Sequence, residues 1–216
     1  MLRADLHSHT VYSGDCQMSP EELVAACLKT GINCLAVTDH DSVEGALKTR
    51  EIAPFPVIVG EEILTPRGEI MGLFLTERVP SGLSAGEVVA RIREQGGLVC
   101  LPHPFDSMRL SIGREQALLE ILADTDIVEV LNSRSLMPFS SLRARRFARR
   151  HSLLRSAGSD AHHPYEVGRA YVEMPEFEDG SSFLAALGQG RIFGRNSGPW
   201  VHLASAWSRS RSNLRR

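Results

Sequence analysis

The sequence predicts a parallel α/β fold, because short β-type runs alternate with amphipathic helical runs along the chain. The clearest helix begins after Ser19, an N-cap that is followed by Pro20 and by the capping-box acid Glu22, and it ends at Gly31. The predicted strands are 3–7, 33–38, 57–64, 69–75, 98–102, 126–131, 153–158 and 169–174. The other predicted helices are 85–95, 114–123, 140–150 and 181–187.

The composition predicts one catalytic domain. A chain of 216 residues with 43% hydrophobic residues can bury a sizeable core. No apolar stretch approaches the roughly 18 residues of a membrane span, no basic apolar leader follows Met1, and the cysteines form no CxxC pair. We therefore expect a cytoplasmic protein with a domain over residues 1–205, a disordered basic tail over 206–216 and no membrane partner.

The basic residues are unusual because nearly all of them are arginine. Only Lys29 and Lys48 are lysines among the 24 basic residues, although the net charge is only -2. Five arginines crowd the segment 143–150, and four more lie in the tail. The crowded segment is compatible with a solvated helix face or with a surface for an anionic substrate.

Histidines and acids follow the predicted strands at their C-terminal ends. In a parallel barrel these ends converge on one mouth, so residues distant in sequence become neighbours. His7 and His9 are two residues apart at a strand end, which places both imidazoles on one side. The candidate metal ligands and catalytic residues are His7, His9, Asp15, His40, Glu62, His103, Asp160 and His162.

These ligand types indicate which cations bind and how many. Imidazole nitrogen mixed with carboxylate oxygen, without thiolate, suits zinc, manganese or iron. Eight candidates are too many for one ion, so we expect two or three divalent ions, with Glu62 as a bridge. Three divalent ions and the carboxylates of Asp15, Glu62 and Asp160 leave about three positive charges, which a hydroxide and a phosphate dianion would neutralise. The balance favours a phosphate ester as substrate.

Ordered motifs over residues 3 to about 175 resemble those of the PHP (polymerase and histidinol phosphatase) family. The motifs are Asp5-Leu6-His7-Ser8-His9-Thr10, Asp15, Thr38-Asp39-His40-Asp41, Gly60-Glu61-Glu62-Ile63, Pro102-His103-Pro104-Phe105-Asp106, Glu129-Val130-Leu131-Asn132 and Gly158-Ser159-Asp160-Ala161-His162. The resemblance implies a distorted (βα)7 barrel that holds two or three divalent metals and hydrolyses phosphate esters. It implies one ion on His7, His9, Glu62 and Asp160, a second on Glu62 and His103, and a third on Asp15, His40 and His162.

One part of the family pattern is missing. Many relatives have a further histidine after the bridging glutamate, but residues 68–73 contain none. The second ion would then bind more weakly, or be completed by Glu129, Asn132 or water. We read Asp5, Asp39 and Asp41 as residues that orient the ligand histidines.

The mechanism that we expect is attack of a metal-bound hydroxide on phosphorus while the other ions neutralise the remaining oxygens. Arg134 and Asn132 are the candidate substrate-binding residues, the arginine through its guanidinium fork. The substrate remains open between a phosphorylated small molecule, a nucleotide and a nucleic-acid end, as a monoester or a diester. The sequence indicates no obligate protein partner.

Two alternatives remain. An amidohydrolase-type barrel also opens with two histidines and acts on other substrates, but many binuclear members bridge their metals with a carboxylated lysine. Neither Lys29 nor Lys48 follows a strand as that role requires. The other alternative is a non-catalytic, metal-stabilised PHP module of the kind attached to polymerases. We favour a stand-alone enzyme because all but one of the ligand motifs are present.

Overall fold

The computed structural model describes residues 1–106, 119–135, 137 and 139–195. Its strands there are β1 (Leu2–Asp5), β2 (Cys34–Val37), β3 (Val57–Thr65), β4 (Gly68–Leu73), β5 (Leu98–Leu101), β6 (Ile127–Asn132), β7 (Leu154–Gly158), β8 (Ala170–Met174) and β9 (Arg191–Gly194). Its helices there are α1 (Pro20–Thr30), α2 (Glu44–Ile52), α3 (Ala85–Glu94), α4 (Ser140–Arg150) and α5 (Gly180–Gly188). Residues 114–118 of the predicted helix 114–123 and all of the tail 206–216 lie outside the described residues.

The strands from β1 to β7 follow one another around a barrel in chain order. All neighbours are parallel except β4, which runs antiparallel to both β3 and β5. The barrel closes where the segment after β1 meets the end of β7: the Leu6 N–H donates to Ala157 O at 3.2 Å, and the Asp160 N–H donates to His7 O at 2.7 Å. β8 and β9 extend the sheet beyond β1 as antiparallel strands. The predicted distorted (βα)7 barrel is confirmed.

Apolar side chains fill the barrel below its mouth, and polar ones lie above them on the same strands. Ile58 on β3, Met71 on β4 and Ile127 on β6 belong to the inner core cluster. Side chains alternate along a strand, so Glu62 and Glu129 face the same interior as Ile58 and Ile127. A second cluster packs the outer faces of the strands against the helices. The mouth therefore has an apolar floor.

Two elements were not predicted from the sequence. The N-cap residue of α2 is Val43, whose side chain cannot cap the helix. By contrast, α1, α3 and α5 each begin with a capping box. Strand β9 pairs only with β8 and is half-buried or exposed along its length. Both elements depend on packing and pairing and have no local start signal. Within the described residues, no helix combines the length and apolarity needed to span a membrane.

The barrel seam requires glycine at position 158. A Cβ there would lie 2.2 Å from the Cβ of His7 and 2.7 Å from its backbone nitrogen. Two backbone segments therefore pack against each other without room for a methyl group. By contrast, a Cβ on Gly86 in α3 would meet nothing within 4 Å.

We expect Gly158→Ala to destabilise the protein by about 1–3 kcal/mol, the usual cost of overpacking, because His7 must move. Gly86→Ala is the matched control and should raise the stability by up to about 1 kcal/mol, since alanine favours helix. Urea unfolding followed by circular dichroism measures both changes. Equal stabilities for the two variants would contradict this account of the seam.

Candidate metal centre

His7 and His9 lie in the extended segment that continues β1, where it is hydrogen-bonded to the chain after β7. The His9 N–H donates to Ala161 O at 3.0 Å, one pair beyond the bond between Asp160 and His7. Both imidazole rings are fully buried, and their Nε2 atoms lie 3.1 Å apart. The barrel seam thus brings residues from the two ends of the domain to one point.

His7, His9, Glu62 and Asp160 form the first group of ligand atoms. Oε2 of Glu62 lies 3.3 Å from Nε2 of His7 and 3.5 Å from Nε2 of His9. Oδ1 of Asp160 lies 3.8 Å and 3.4 Å from the same two nitrogens. A tetrahedral zinc ion about 2.0–2.1 Å from each ligand holds its ligands roughly 3.3–3.4 Å apart. Each of the two imidazole nitrogens therefore lies at about the spacing of metal ligands from both carboxylate oxygens.

Hydrogen bonds on the far sides of the two rings turn both Nε2 lone pairs toward this site. Nδ1 of His7 lies 3.1 Å from Oε1 of Glu129, and a carboxylate accepts, so this nitrogen carries the proton. Nδ1 of His9 lies 3.1 Å from Oγ of Ser13, whose own proton is donated to Asp15. Two lone pairs and two carboxylates thus face one another in a buried cluster, which a cation would stabilise.

Glu62 links the first group to a second group, which contains His103 and Glu69. Nε2 of His103 lies 2.9 Å from Oε1 of Glu62 and 3.9 Å from Oε2 of Glu69. Oε1 of Glu69 lies 4.0 Å from Nδ1 of His40. Glu69 lies in the segment where the family resemblance led us to expect a histidine. It is the residue of the cluster that the sequence analysis missed.

The antiparallel direction of β4 explains why Glu69 was missed. The sequence pattern predicts ligands at the C-terminal ends of parallel strands. An antiparallel strand instead brings its N-terminal end to the mouth of the barrel. In the β3–β4 register, Leu64 is opposite Glu69 and Glu62 is opposite Met71, so both glutamates lie on one face. The available signal was an acidic residue at the start of an apolar run, which does not reveal the direction of the strand.

Asp15, His40 and His162 form the third group, at the open side of the cluster. Oδ2 of Asp15 lies 3.2 Å from Nε2 of His162 and 3.8 Å from Nε2 of His40. The side chain of His40 is 31% exposed and that of Asp15 is 17% exposed, whereas His7 and His9 are fully buried. The cluster therefore reaches solvent through the third group. All eight predicted site residues converge at the mouth.

Glu129 and Asn132, which we considered as ligands of the second ion, lie behind the ligands and hold them. Oε2 of Glu129 accepts hydrogen bonds from the backbone N–H of His103 at 2.8 Å and from Nδ2 of Asn132 at 3.0 Å. Nδ2 of Asn132 also donates to Oδ2 of Asp160 at 3.0 Å. Together with the hydrogen bond between His7 and Glu129, these bonds connect three ligand residues, His7, His103 and Asp160, in one network.

Arg134 is buried beneath the loop that carries His162. Its Nε lies 3.6 Å from Oε1 of Glu166, and Oε2 of Glu166 accepts a hydrogen bond from the His162 N–H at 3.1 Å. The side chains of Arg134 and Asn132 are only 2% and 3% exposed. Substrate binding by these two residues stays a prediction.

Asp5 and Asp39 accept hydrogen bonds from Ser159 and Thr10, which flank the ligands, and not from the ligand rings. Oδ1 of Asp5 accepts the Ser159 N–H at 2.8 Å, and the two oxygens of Asp39 accept the N–H and the hydroxyl of Thr10 at 2.5 and 2.6 Å. Burial raises the pKa of each aspartate to about 6, although these hydrogen bonds oppose the shift. The two acids fix the segments on which the ligands are carried.

Charges in the cluster favour a cation. Burial opposes protonation of His7, but the surrounding carboxylates raise its pKa well above the ordinary value. Burial and two neighbouring histidines lower the pKa of His9 to about 3, so this imidazole is neutral. Burial likewise opposes ionisation of Glu62, but His7 and His103 hold its pKa well below the ordinary value. A field that draws a proton to His7 also attracts a metal ion.

Two ligands have a left-handed backbone that only the surrounding fold maintains. The φ angle is +55° at Asp160 and +27° at His103, and Asp41, beside His40, has +53°. Non-glycine residues in such conformations cost of order 1–3 kcal/mol each and cluster at functional sites. The strain indicates that ligand placement is favoured over local backbone preference.

Two solved structures have a similar fold at low sequence identity. A two-domain protein from Bacteroides vulgatus, containing a predicted PHP-like metal-dependent phosphoesterase, is matched over 90% of this chain and 65% of its own, with a TM-score of 0.72 and 20% identity. A lesion-specific endonuclease from Pyrococcus furiosus is matched over 88% of this chain and 57% of its own, with a TM-score of 0.67 and 18% identity. Both comparisons concern the fold alone.

A sequence relative is closer in identity. An uncharacterized protein from Methanocaldococcus jannaschii is 38% identical over 179 residues, which are 81% of this chain and 71% of the relative. The PHP domain family matches residues 5–63, a range that runs from the first ligands to Glu62. The PHP-associated family matches residues 140–192, which include Asp160 and His162. With the barrel and its cluster of histidines and acids, these matches establish that the chain belongs to the PHP family.

Proposed function

We propose that the protein hydrolyses phosphate monoesters with the help of divalent metal ions held at the barrel mouth. The first ligand group carries this proposal, because its two imidazole nitrogens lie 3.1 Å from each other and 3.3–3.8 Å from the two carboxylate oxygens. Bound divalent ions supply Lewis acidity toward phosphoryl oxygens and lower the pKa of water, which is the chemistry that phosphate hydrolysis needs. Zinc, manganese and iron fit this mixture of imidazole and carboxylate.

Three overlapping ligand groups support a centre with two or three ions. The first ion would be held by His7, His9, Glu62 and Asp160. The second would be held by Glu62, His103 and Glu69, and the third by Asp15, His40 and His162. Glu129 and Ser13 would keep the two leading histidines in the tautomer that binds metal. A substrate would enter across the third group, because its His40 and Asp15 have the most exposed side chains of the cluster.

Charge balance favours a phosphate monoester over a neutral substrate. With Glu69, four carboxylates face the centre, so three divalent ions would leave a residual charge of about two positive units. A metal-bound hydroxide would reduce this charge to about one positive unit, and a phosphate monoester, with about -1.5 to -2 charge at pH 7, would more than neutralise what remains. An amide substrate of an amidohydrolase would leave it uncompensated. The substrate classes that we retain are a phosphorylated small molecule, a nucleotide and a nucleic-acid end.

We also propose a cytoplasmic location. All four cysteines are buried free thiols, Cys16, Cys27, Cys34 and Cys100. Disulfides are rare in the cytoplasm and common in secreted proteins, so four unpaired cysteines support this location.

His9→Ala distinguishes a catalyst from a metal-stabilised structural module. We expect the wild-type protein to carry bound metal and to hydrolyse p-nitrophenyl phosphate. In the variant, turnover should fall at least 100-fold, within the range seen when metal or acid–base groups are removed, while the circular dichroism spectrum stays unchanged. Metal content is measured by mass spectrometry. His163→Ala, an exposed histidine outside the cluster, is the control and should keep full turnover.

Two results would contradict this proposal. A stable wild-type protein that binds no zinc, manganese or iron under any loading condition would exclude the metal centre. Bound metal without turnover of any phosphate ester, together with unfolding of His9→Ala, would indicate a structural module.

Glu69→Gln tests the second ion. We expect the variant to lose one bound ion per molecule and to keep its fold, because an amide is a weaker ligand than a carboxylate for these divalent ions. Glu77→Gln, an exposed residue with the same change of charge, is the matched control and should keep the wild-type metal content. An unchanged metal content in Glu69→Gln would remove Glu69 from the centre.

A further inference from the structure

A cleft lies between α4, the start of β7 and the start of β9. Its volume is about 950 Å³, and five arginines line it: Arg145, Arg146, Arg149, Arg155 and Arg191. We call it the arginine cleft, and we propose that it binds single-stranded nucleic acid through the phosphate backbone. Leu154 begins β7 in this cleft, whereas Asp160 follows the end of β7 at the metal centre. The arginine cleft is therefore a separate site at the other end of the barrel.

The positive charge of the arginine cleft is not balanced locally. None of the described residues that line it is acidic. Helix α4 carries five arginines and no acid in its eleven residues, whereas in α3 Arg91 pairs with Glu94 at 3.1 Å, as is usual on a solvated helix face. Glu173 is opposite Arg191 in the sheet register, but it pairs with Arg3 at 3.7 Å. An unbalanced group of guanidinium ions attracts an anionic partner.

The arrangement of the arginines fits a chain of phosphates better than a single one. Arg145 and Arg149 are about one helical turn apart, roughly 6 Å along the axis at 1.5 Å per residue, and Arg146 lies between them along the axis. Arg155 and Arg191 line the same cleft from the two strands β7 and β9. Each guanidinium can bind one phosphate through its fork, so a linear polyanion would contact several of them at once. A single phosphate would use only one or two.

Apolar side chains in the same cleft indicate which polyanion fits. Leu153, Leu154, Leu187 and Ile192 line it together with the arginines. A single strand exposes the faces of its bases, which can pack on such a surface while its phosphates contact the arginines. A duplex hides those faces, and an acidic peptide has none. A membrane surface is flat, whereas this site is concave. The combination therefore favours single-stranded nucleic acid.

A second, smaller cleft extends the basic surface along α4. Its volume is about 170 Å³, and its lining includes Phe105, Phe147 and Arg143, with the guanidinium of Arg143 4.7 Å from the centre of the Phe105 ring. Arg146 lines both clefts. Phe105 follows His103 by two residues, so the smaller cleft borders the segment that carries this ligand. A bound strand longer than the arginine cleft would have a basic path along the helix.

The test is fluorescence anisotropy with a fluorescein-labelled deoxythymidine oligomer of about 20 nucleotides, measured over a range of salt concentrations. Each phosphate contact with a single strand contributes about 0.7 to the slope of log K against log salt. The double variant Arg146→Gln with Arg149→Gln should therefore bind roughly tenfold more weakly and lose about 1.4 units of slope. Arg50→Gln with Arg91→Gln makes the same change of charge elsewhere and should bind like the wild type.

The proposal is overturned by three results: no binding of the oligomer, equal weakening in both double variants, or tighter binding of polyglutamate, duplex DNA or phosphatidylserine vesicles than of the oligomer. The thermal midpoints of the variants show that they remain folded. Hydrolysis of p-nitrophenyl phosphate should be the same in the wild type and in the Arg146/Arg149 variant. The two proposals can therefore fail independently. Absence of metal-dependent hydrolysis would not change the oligomer-binding result, and absence of oligomer binding would not change the hydrolysis result.

Discussion

The seam between the segment after β1 and the end of β7 is the contact on which both the barrel and the metal centre depend. The same hydrogen bonds that close the barrel set His7 and His9 opposite Asp160. Gly158 lets the two backbones approach because it has no Cβ to meet His7. If the two segments of this seam moved apart, His7 and His9 would also move away from Asp160. Closure of the fold and assembly of the site are thus one event.

Closing the seam concentrates acids and imidazoles in a volume from which water is largely excluded. Glu62, Glu129 and Asp160 are each at most 3% exposed, and each contacts a histidine or an amide of the network. Buried carboxylates are costly unless they are paired, and these three pair with the histidines and the amide of the cluster. Metal binding would therefore contribute to folding stability as well as to chemistry. The strained backbones of His103 and Asp160 are held by the same network.

The parts of the structure that were predicted from the sequence have local signals. Ser19 and Pro20 mark the start of α1, and the histidine motifs follow strands whose apolar character is plain. Glu69 and α2 were missed because their placement depends on tertiary structure. Glu69 reaches the mouth only because β4 is antiparallel, and α2 begins without a side-chain cap that the sequence would reveal. The supporting role of Glu129 depends on its register within β6, which spacing alone does not give.

Burial also changes what the net charge means. The formal value of -2 counts nine acids that are buried: Asp5, Asp39, Glu61, Glu62, Glu69, Asp106, Glu129, Asp160 and Glu166. The described residues hold 25 of the 26 acids and 18 of the 24 basic residues, and leaving out these nine acids and the buried Arg134 gives 16 acids and 17 basic residues. The other described charges therefore nearly balance, with an excess of one positive charge. The positive charge that an anionic strand would meet is concentrated locally, at the arginines of α4 and of the arginine cleft, and metal ions at the mouth would place positive charge in the centre.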